Sequence, residues 1–399
     1  MSALRYWLWL ATAEVSLRTR ARVLDRYADA ETAFNAPAGE LAALDGISLK
    51  DAKTLEAHKS ADMGAVENEC AALGIKILTM QDAAYPHRLR NIYSPPPVLF
   101  VKGELPVVDE NALIAVVGTR NASPYGLKMG RDIACEIARS GGIVVSGLSG
   151  GIDTQAAHGA MLAGGKCVSV LGTPIDSETS RLALDVAANG ALVSEYAPGT
   201  KPQRSFFRDR NRISAGISVG VVAIEAPERS GVLLFANEAA EQGKEIFALP
   251  SNADSQTGAG TNALIRDGAR LVTCGWDIMS EFAGRFPERI HRPAEAQPVF
   301  EEKAPEKPAE KPSADKKVID KENDRAYIGW KERLAALSED QLRIVAAIDK
   351  GGSHIDEIIE TSAFPAPKVL AQLTVLEIRG IVRRGPGKRF MLNVNSSKK

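Results

Sequence analysis

The spacing of apolar residues changes along the chain and divides it into four regions. Residues 1–75 are rich in Ala and Leu at helical spacing, and residues 76–288 alternate short β-branched runs with amphipathic stretches. Residues 289–327 are dense in Pro, Glu, Lys and Ala with almost nothing to bury, which predicts a disordered linker. Apolar periodicity returns over residues 328–395. We therefore expect a helical N-terminal domain, an α/β core, a linker and a small C-terminal domain.

The core region carries short apolar runs separated by helical patterns, which is typical of repeated βαβ units. Runs such as IAVVG and IVVSG are apolar throughout, as expected of parallel strands that helices cover on both faces. The sequence therefore predicts an α/β fold with a Rossmann-like parallel sheet. The predicted strands are Leu113–Val117, Gly142–Ser146, Lys166–Leu171, Ala191–Ser194, Gly220–Ile224, Glu245–Leu249 and Arg270–Thr273.

Small, hydroxyl-bearing and charged residues follow most of these strands. Gly118, Thr119 and Arg120 follow the first predicted strand, and Ser146 and Gly147 close the second. The carboxyl ends of strands in a doubly wound sheet border one crevice, where ligands bind, and free amides at helix starts favour an anion. Ordinary turns also use Gly, Ser and Thr. Recurrence of such residues from strand to strand nevertheless favours a ligand crevice.

The first of these turns departs from the dinucleotide-binding fingerprint. In the run GTRNAS (118–123), Arg120 stands where the second glycine of GxGxxG lets a pyrophosphate approach the backbone. An exposed arginine at that place suits an isolated phosphate. The sequence therefore predicts no NAD, FAD or other cofactor.

A basic and aromatic segment, residues 201–212, lies between the fourth and fifth predicted strands on the side of the crevice. It holds five cations, one anion and two adjacent phenylalanines. Single-stranded nucleic acid is gripped by cations on phosphates and by aromatic faces under bases. We expect DNA contacts from Gly118, Thr119, Arg120, Ser146, Gly147, Arg204, Phe207, Arg208, Arg210, Asn211 and Arg212.

The same segment also admits a structural interpretation. One of Phe206 and Phe207 is expected to anchor the following helix in the core. The arginines can instead form a solvated face or pair with Glu195 and Glu225 at neighbouring strand ends.

Composition narrows the class of protein. Apolar residues make up 45% and charged residues 25%, which is typical of soluble globular domains. A formal net charge of −1 means that any nucleic-acid surface is a local patch. The four cysteines and five histidines are scattered, which predicts reduced thiols and no metal site. The apolar run at residues 6–10 is too short for a signal peptide, so we expect a cytoplasmic protein without a membrane segment.

Both ends of the chain carry patterns of small helical modules. Gly46 can close one helix and Ser48 can cap the next, which fits a SAM-like or helix-hairpin-helix-like domain or a plain packed hairpin. Three helical patterns between Ser338 and Arg379, followed by a hairpin, predict a winged-helix domain. Seven Lys or Arg and no acid occur from Arg379 onward, so the wing can touch a DNA backbone, although a protein-interaction role stays open.

Several motifs occur in one order and resemble the DNA processing protein A (DprA/Smf) family. They are VVGTR and S-x-YG within 116–126, VVSGLSGGID at 144–153, VLG at 170–172, SE at 194–195, F-x-x-RNRISAGIS at 207–218, IEA-x-x-x-SG at 224–231 and GTNALIRDGA at 260–269. The chain differs from the family pattern at Ala157, where a histidine is usual, in a shorter loop after Asp176, and at Arg208, where proline is usual.

The resemblance implies a homodimeric protein that binds single-stranded DNA. The sequence offers no nucleophile with an adjacent base, so we do not expect an enzyme. It further implies that the protein protects incoming DNA and loads the RecA recombinase in natural transformation. Carried over by position, Arg120 and the group Phe207, Arg210, Asn211 and Arg212 would line the DNA pocket. The floor of that pocket would be formed by Gly118, Ser146 and Gly147.

Two other classes of function stay open. Similar sheets occur in nucleoside-monophosphate phosphoribohydrolases, although residues 228–234 lack their PGGxGTxxE motif. The second open class is a regulator that binds duplex DNA through its winged helix.

Asp153 and His158 are expected on different helix faces, which disfavours an acid–base pair. Asp153 is expected to cap its helix. We also expect Arg120→Ala or Arg210→Ala to weaken DNA binding without unfolding the protein.

Overall fold

The computed structural model describes residues 3–27, 29–293, 337–349, 352–362, 364–378, 381–385 and 389–392. The chain divides into two compact units, Met1–Phe300 and Glu301–Lys399. Residues 294–327, which make up most of the predicted linker, lie outside the described residues.

Helices make up the start of the first unit. The apolar run of the first helix is core: Trp7, Leu8, Trp9 and Leu10 are buried, and Trp9 Nε1 donates to the carbonyl of Leu55 at 3.0 Å. The helices before the sheet are α1 (Ala3–Thr12), α2 (Leu17–Tyr27), α3 (Ala30–Asn35), α4 (Ala38–Ala43), α5 (Leu49–His58) and α6 (Met63–Ala72).

The turn between α4 and α5 follows the sequence pattern. Gly46 has a φ of +86°, a left-handed conformation that glycine adopts without steric strain. Ser48 caps α5, since its Oγ accepts from the Asp51 amide at 3.0 Å. Ser48 therefore plays the role expected of it. Gly46 does not close α4, because the helix ends at Ala43 with Leu44 as its C-cap, and Gly46 lies in the turn two residues later.

A single nine-stranded sheet forms the centre of the first unit, in the order β1-β2-β6-β5-β4-β3-β7-β8-β9. All seven predicted strands are present, with ends within two residues of the prediction. The strands are β1 (Ile75–Thr79), β2 (Val98–Gly103), β3 (Leu113–Val117), β4 (Ile143–Ser146), β5 (Cys167–Val170), β6 (Ala191–Ser194), β7 (Gly220–Ala223), β8 (Glu245–Ala248) and β9 (Arg270–Leu271).

The sequence analysis missed two strands, β1 and β2, which pair antiparallel with each other. β2 pairs with β1 on one side and with β6 on the other, where Phe100 is opposite Ser194. The seven strands from β3 to β9 pair in parallel with one another. The sheet is therefore mostly parallel, with an antiparallel flank contributed by the segment that precedes β3.

Helices cover both faces of the sheet. Along β3, Ile114 and Val116 belong to one buried cluster, whereas Leu113 and Ala115 belong to another on the opposite face. The helices are α7 (His87–Arg90), α8 (Pro124–Arg139), α9 (Ile152–Leu162), α10 (Arg181–Asn189), α11 (Phe206–Ile217), α12 (Gly231–Glu241), α13 (Ala259–Arg266) and α14 (Gly275–Met279).

The second unit is a winged-helix fold, as the sequence predicts. Its helices are α15 (Glu339–Ala346), α16 (Ile355–Ser362) and α17 (Ala366–Ile378), and its sheet has the order β10 (Ser353–His354), β12 (Arg389–Leu392), β11 (Val382–Arg384). Ser338 caps α15 in a capping box with Gln341. Ile344, Ile358 and Phe390 pack in its core. Among the described residues of the chain, no helix is long and apolar enough to cross a membrane.

Thiol reactivity offers a check of this packing. Burial raises the pKa of Cys70 to about 11 and that of Cys167 to about 12, whereas Cys135 is partly exposed. Because the thiolate is the reactive species, we expect Cys70 and Cys167 of the native protein to stay unmodified by an aromatic disulfide reagent at pH 8. All four cysteines should react in guanidinium chloride. Mass spectrometry after labelling identifies the sites, and native labelling of Cys167 as fast as that of Cys135 would contradict the packing.

Candidate nucleic-acid interface

An open cavity of about 450 Å³ lies at the carboxyl ends of the parallel strands. Eight of the residues expected to contact DNA line it: Gly118, Thr119, Arg120, Arg204, Phe207, Arg208, Arg210 and Asn211. A second cavity of about 240 Å³ shares Arg120, Ser149 and Phe207 with the first and adds Gly147. We refer to the two cavities together as the cleft.

Arg120 and Phe207 form the feature common to both cavities. The Arg120 guanidinium lies over the Phe207 ring, 5.3 Å from its centroid, and Phe207 is 38% exposed. Phe207 is therefore partly accessible from the cleft, and the adjoining guanidinium offers hydrogen-bond donors in a planar fork. Such a pair can stack on a base and hold the neighbouring phosphate.

The other phenylalanine anchors the helix that carries this site. Phe206 is buried and stacks on Tyr196 with ring centroids 3.5 Å apart and planes 12° from parallel. At the far end of α11, Lys244 Nζ donates to the Gly216 carbonyl at 3.2 Å and Arg88 Nη1 to the Ile217 carbonyl at 3.1 Å. These contacts fix both ends of α11, and its N-terminal turn lies at the cleft.

Arg210 is held in place by several acceptors. Its Nη1 donates to the carbonyls of Gly147 at 2.8 Å and Val170 at 3.1 Å, and its Nη2 donates to Ser149 Oγ at 3.0 Å. The same Nη2 lies 3.6 Å from Asp153 Oδ2, and only 11% of the Arg210 side chain is exposed. Arg210 therefore links the segment after β4 to the end of β5 and faces the cleft from a nearly buried position.

Asp153 does not cap its helix, contrary to the sequence expectation. The N-cap of α9 is Gly151, whose φ of +57° and close approach to the carbonyls of Thr119 and Arg120 leave no room for a side chain. Asp153 lies in the first turn, buried against Arg210. Burial raises the pKa of its carboxyl, and Arg210 opposes this effect. His158, in contrast, is exposed on another face of α9.

The loop that carries Arg120 is fixed by Glu225, a buried residue after β7. Its carboxylate accepts from the Ser123 amide at 2.8 Å and from Ser123 Oγ at 2.6 Å. Thr257 Oγ1 donates to the same carboxylate at 3.2 Å. Ser123 in turn caps α8 by accepting from the Gly126 amide at 3.0 Å. Glu225 is thus engaged with the backbone and hydroxyls of the loop rather than with the arginines.

Arg212 does not line the cleft, and its expected place there needs correction. Its side chain is 5% exposed and its Nη2 donates to Glu195 Oε2 at 2.5 Å. Each residue of an α-helix is rotated by about 100° from the one before it. Arg212, five residues after Phe207, therefore lies about 140° around the helix axis from Phe207. Arg212 therefore faces the interior while Phe207 and Arg210 face the cleft. Ser146 is also buried, below the cavity surface, where its Oγ donates to the Asp153 carbonyl at 2.8 Å.

Several lining residues were missed by the sequence analysis. They come from the loop after β4 and from the start of α12: Ser149, Ser230, Gly231, Val232, Leu234 and Phe235. The Ser-Gly pair at 230–231 follows a strand and starts a helix, which is the signal that marked the other turns. The larger cavity is lined by four arginines and one aspartate, so it carries a local excess of positive charge in a chain of net charge −1.

Comparison with known proteins agrees with this architecture. The family model "DNA recombination-mediator protein A" matches residues 76–283, and the model "DprA winged helix domain" matches residues 331–388. DNA processing protein DprA of Bacillus subtilis is 37% identical over 220 residues, which cover 54% of this chain and 73% of that protein. Protein Smf of Synechocystis is 30% identical over 338 residues, 79% of each chain.

A solved structure of a DNA processing protein A has a similar fold. The X-ray structure of DNA processing protein A from Streptococcus pneumoniae matches with a TM-score of 0.60 and 29% identity, covering 68% of this chain and 95% of that one. The fold, the two family models and the level of identity to the relatives are mutually consistent. The chain therefore belongs to the DNA recombination-mediator protein A family, DprA/Smf.

Proposed function

We propose that this protein binds single-stranded DNA in the cleft and acts as a recombination mediator that protects incoming DNA and loads a RecA recombinase in natural transformation. Membership of a recombination-mediator family supports a DNA-processing role. Homodimer formation and a cytoplasmic location are part of the proposal. The residues proposed to contact DNA are those of the cleft.

The observation that carries the proposal is the exposed Phe207 ring beside Arg120. A ring face can stack only on a base that is not already stacked in a duplex, so it favours single strands. Arg204 and Arg208 extend the cationic surface on the same segment, and Arg210 adds a third cation from below. A single-stranded nucleic acid satisfies both requirements at once, and membership of a DNA recombination-mediator family favours DNA.

Fluorescence anisotropy of a labelled oligo-dT, measured over a salt series, tests the proposal. With up to four arginine contacts, the slope of log affinity against log salt should be as steep as about −3, since each phosphate contact to a single strand contributes roughly −0.7. Unlabelled duplex should fail to displace the oligonucleotide. Displacement by equal amounts of duplex would contradict single-strand binding, and release of adenine from AMP would favour a phosphoribohydrolase instead.

Recombinase loading is tested separately. On an oligonucleotide coated with single-strand-binding protein, addition of the chain should raise RecA-dependent ATP hydrolysis. A variant that lacks Phe207 should not do so at the same concentration. Sedimentation velocity of the free protein measures whether it is a dimer.

A further inference from the structure

A buried group of charges connects the N-terminal helices to the helix of the cleft. Arg20 of α2 lies with its Nη1 3.6 Å from Glu195 Oε1, and its Nη2 donates to the Ala13 carbonyl at 2.9 Å. Glu195, directly after β6, accepts from Arg212 of α11 at 2.5 Å. The side chains of Arg20, Glu195 and Arg212 are 9%, 1% and 5% exposed. We call these three residues the charge bridge.

Stability alone is a weak reason for such an arrangement. Removing charges from water is costly, and well-packed apolar side chains often replace a buried ion pair without loss of stability. Among the described residues, Arg20 Nε and Arg212 Nε and Nη1 have no hydrogen-bond partner, so the desolvation of the two arginines is only partly compensated. A buried charge network can instead specify one arrangement of the elements that it joins.

Packing at this junction is incomplete. A cavity of about 370 Å³ lies between the α1–α2 connection and the start of α11, lined among others by Arg20, Tyr196, Phe206 and Asp209. On that side, α11 is therefore held by particular contacts rather than by a continuous apolar core. The contacts are the charge bridge and the stacking of Phe206 on Tyr196, the residue that follows Glu195.

Both contacts bear on the residues of the cleft. Phe206 precedes Phe207, and Arg212 follows Arg210 by two residues on the same helix. A rotation of α11 by a small angle would move the Phe207 ring relative to Arg120 and the Arg210 guanidinium relative to its acceptors. The orientation of α11 consequently sets the shape of the cleft.

We propose that Arg20, in the N-terminal helical region, is a positioning residue for single-stranded DNA binding that acts through Glu195 and Arg212 on the orientation of α11. This inference rests on the proposed function of the cleft. Arg20 itself is not among the residues that line the cleft. The N-terminal helices thereby take part in setting DNA affinity without contributing to the DNA surface.

The test compares Arg20→Met with Arg22→Met in the full chain. Arg22 is on the same helix but 46% exposed and paired only at the surface with Asp25. We expect Arg20→Met to weaken oligo-dT binding about tenfold, within the range found for residues that act on a site through others, and Arg22→Met to bind as the wild type does. The log–log salt slope of Arg20→Met should equal that of the wild type, because no phosphate contact is lost.

Two further variants separate positioning from simple loss of stability. Arg20→Lys keeps a cation beside Glu195 and should recover most of the affinity. In a Glu195→Gln background, Arg20→Met should add little further loss, because the two residues act in series. Binding is measured well below the unfolding midpoint of each variant, so that a merely less stable protein still binds at full affinity.

The outcomes are distinguishable. Failure of the wild-type chain to bind oligo-dT overturns the proposed function and the inference with it. Wild-type binding together with equal affinity of Arg20→Met overturns only the inference. A flattened salt slope for Arg20→Met, or losses that add fully with Glu195→Gln, would also contradict action through the charge bridge.

Discussion

Replacing Arg210 with alanine should lower the free energy of unfolding by about 3 kcal/mol and strongly weaken single-strand binding. The substitution leaves Asp153 buried without its cation, which typically costs about 3–5 kcal/mol, and it frees the carbonyls of Gly147 and Val170. Urea unfolding monitored by circular dichroism measures the first effect, and anisotropy measures the second. The sequence-based expectation is that this change weakens binding without unfolding the protein, and the buried position of Arg210 adds a loss of stability to that expectation.

A double variant separates the two effects. Arg210→Met with Asp153→Asn removes the uncompensated carboxylate and retains an apolar stem, so it should recover a large part of the lost stability. It should not recover DNA affinity, because the cation at the cleft is still missing. Wild-type stability of Arg210→Ala would show that Asp153 does not depend on Arg210.

Replacing Phe207 with alanine should weaken oligo-dT binding by about 2 kcal/mol, roughly 30-fold, because base stacking on an aromatic ring typically contributes about 1–3 kcal/mol. Because Phe207 is 38% exposed, the unfolding midpoint should fall by less than it would on truncation of a fully buried phenylalanine. Arg120→Ala should weaken binding by a comparable amount and also flatten the log–log salt slope by roughly 0.7. Phe207→Ala should leave that slope unchanged.

The losses of DNA affinity caused by substituting Arg120 and Phe207 should not be additive. Because Arg120 lies over the Phe207 ring, loss of either residue perturbs the other, and the double variant should lose less than the sum of the single losses. Arg289→Ala is the matched control, since this arginine is 53% exposed and pairs with Glu110 near the amino end of β3, away from the cleft. Wild-type affinity of Phe207→Ala would remove the ring from the DNA surface.

The parallel strands and most cleft residues were predictable because both depend on local sequence. Apolar runs followed by Gly, Ser or Thr mark strand ends, and the carboxyl ends of parallel strands meet at one edge. β2 was missed because only Val98–Val101 is apolar between Pro97 and Lys102. A run of four residues does not distinguish a strand from other buried segments.

The sequence-based predictions for Arg212 and Asp153 were wrong for a different reason. Both depend on the rotation of a helix about its axis and on which partner that rotation reaches. The sequence of the basic segment shows its charge and its aromatic residues. It does not show on which face of the helix each residue lies. Once α11 is known to start at Phe206, the spacing separates Phe207, Arg210 and Asn211 from Arg212. The partners Glu195 and Asp153 come from distant parts of the chain, which local patterns do not connect.

The pairing of β2 with β6 has a consequence during synthesis on the ribosome. Phe100 leaves the ribosome long before Ser194, its partner across the sheet. At a translation rate of about 5–20 residues per second, Ser194 is synthesised roughly 5–20 s after Phe100. During that time β1 is the only neighbouring strand available to β2. Throughout this interval it presents an unpaired apolar edge, the kind of surface that nascent-chain chaperones cover. We therefore expect β2 to depend on such protection during synthesis.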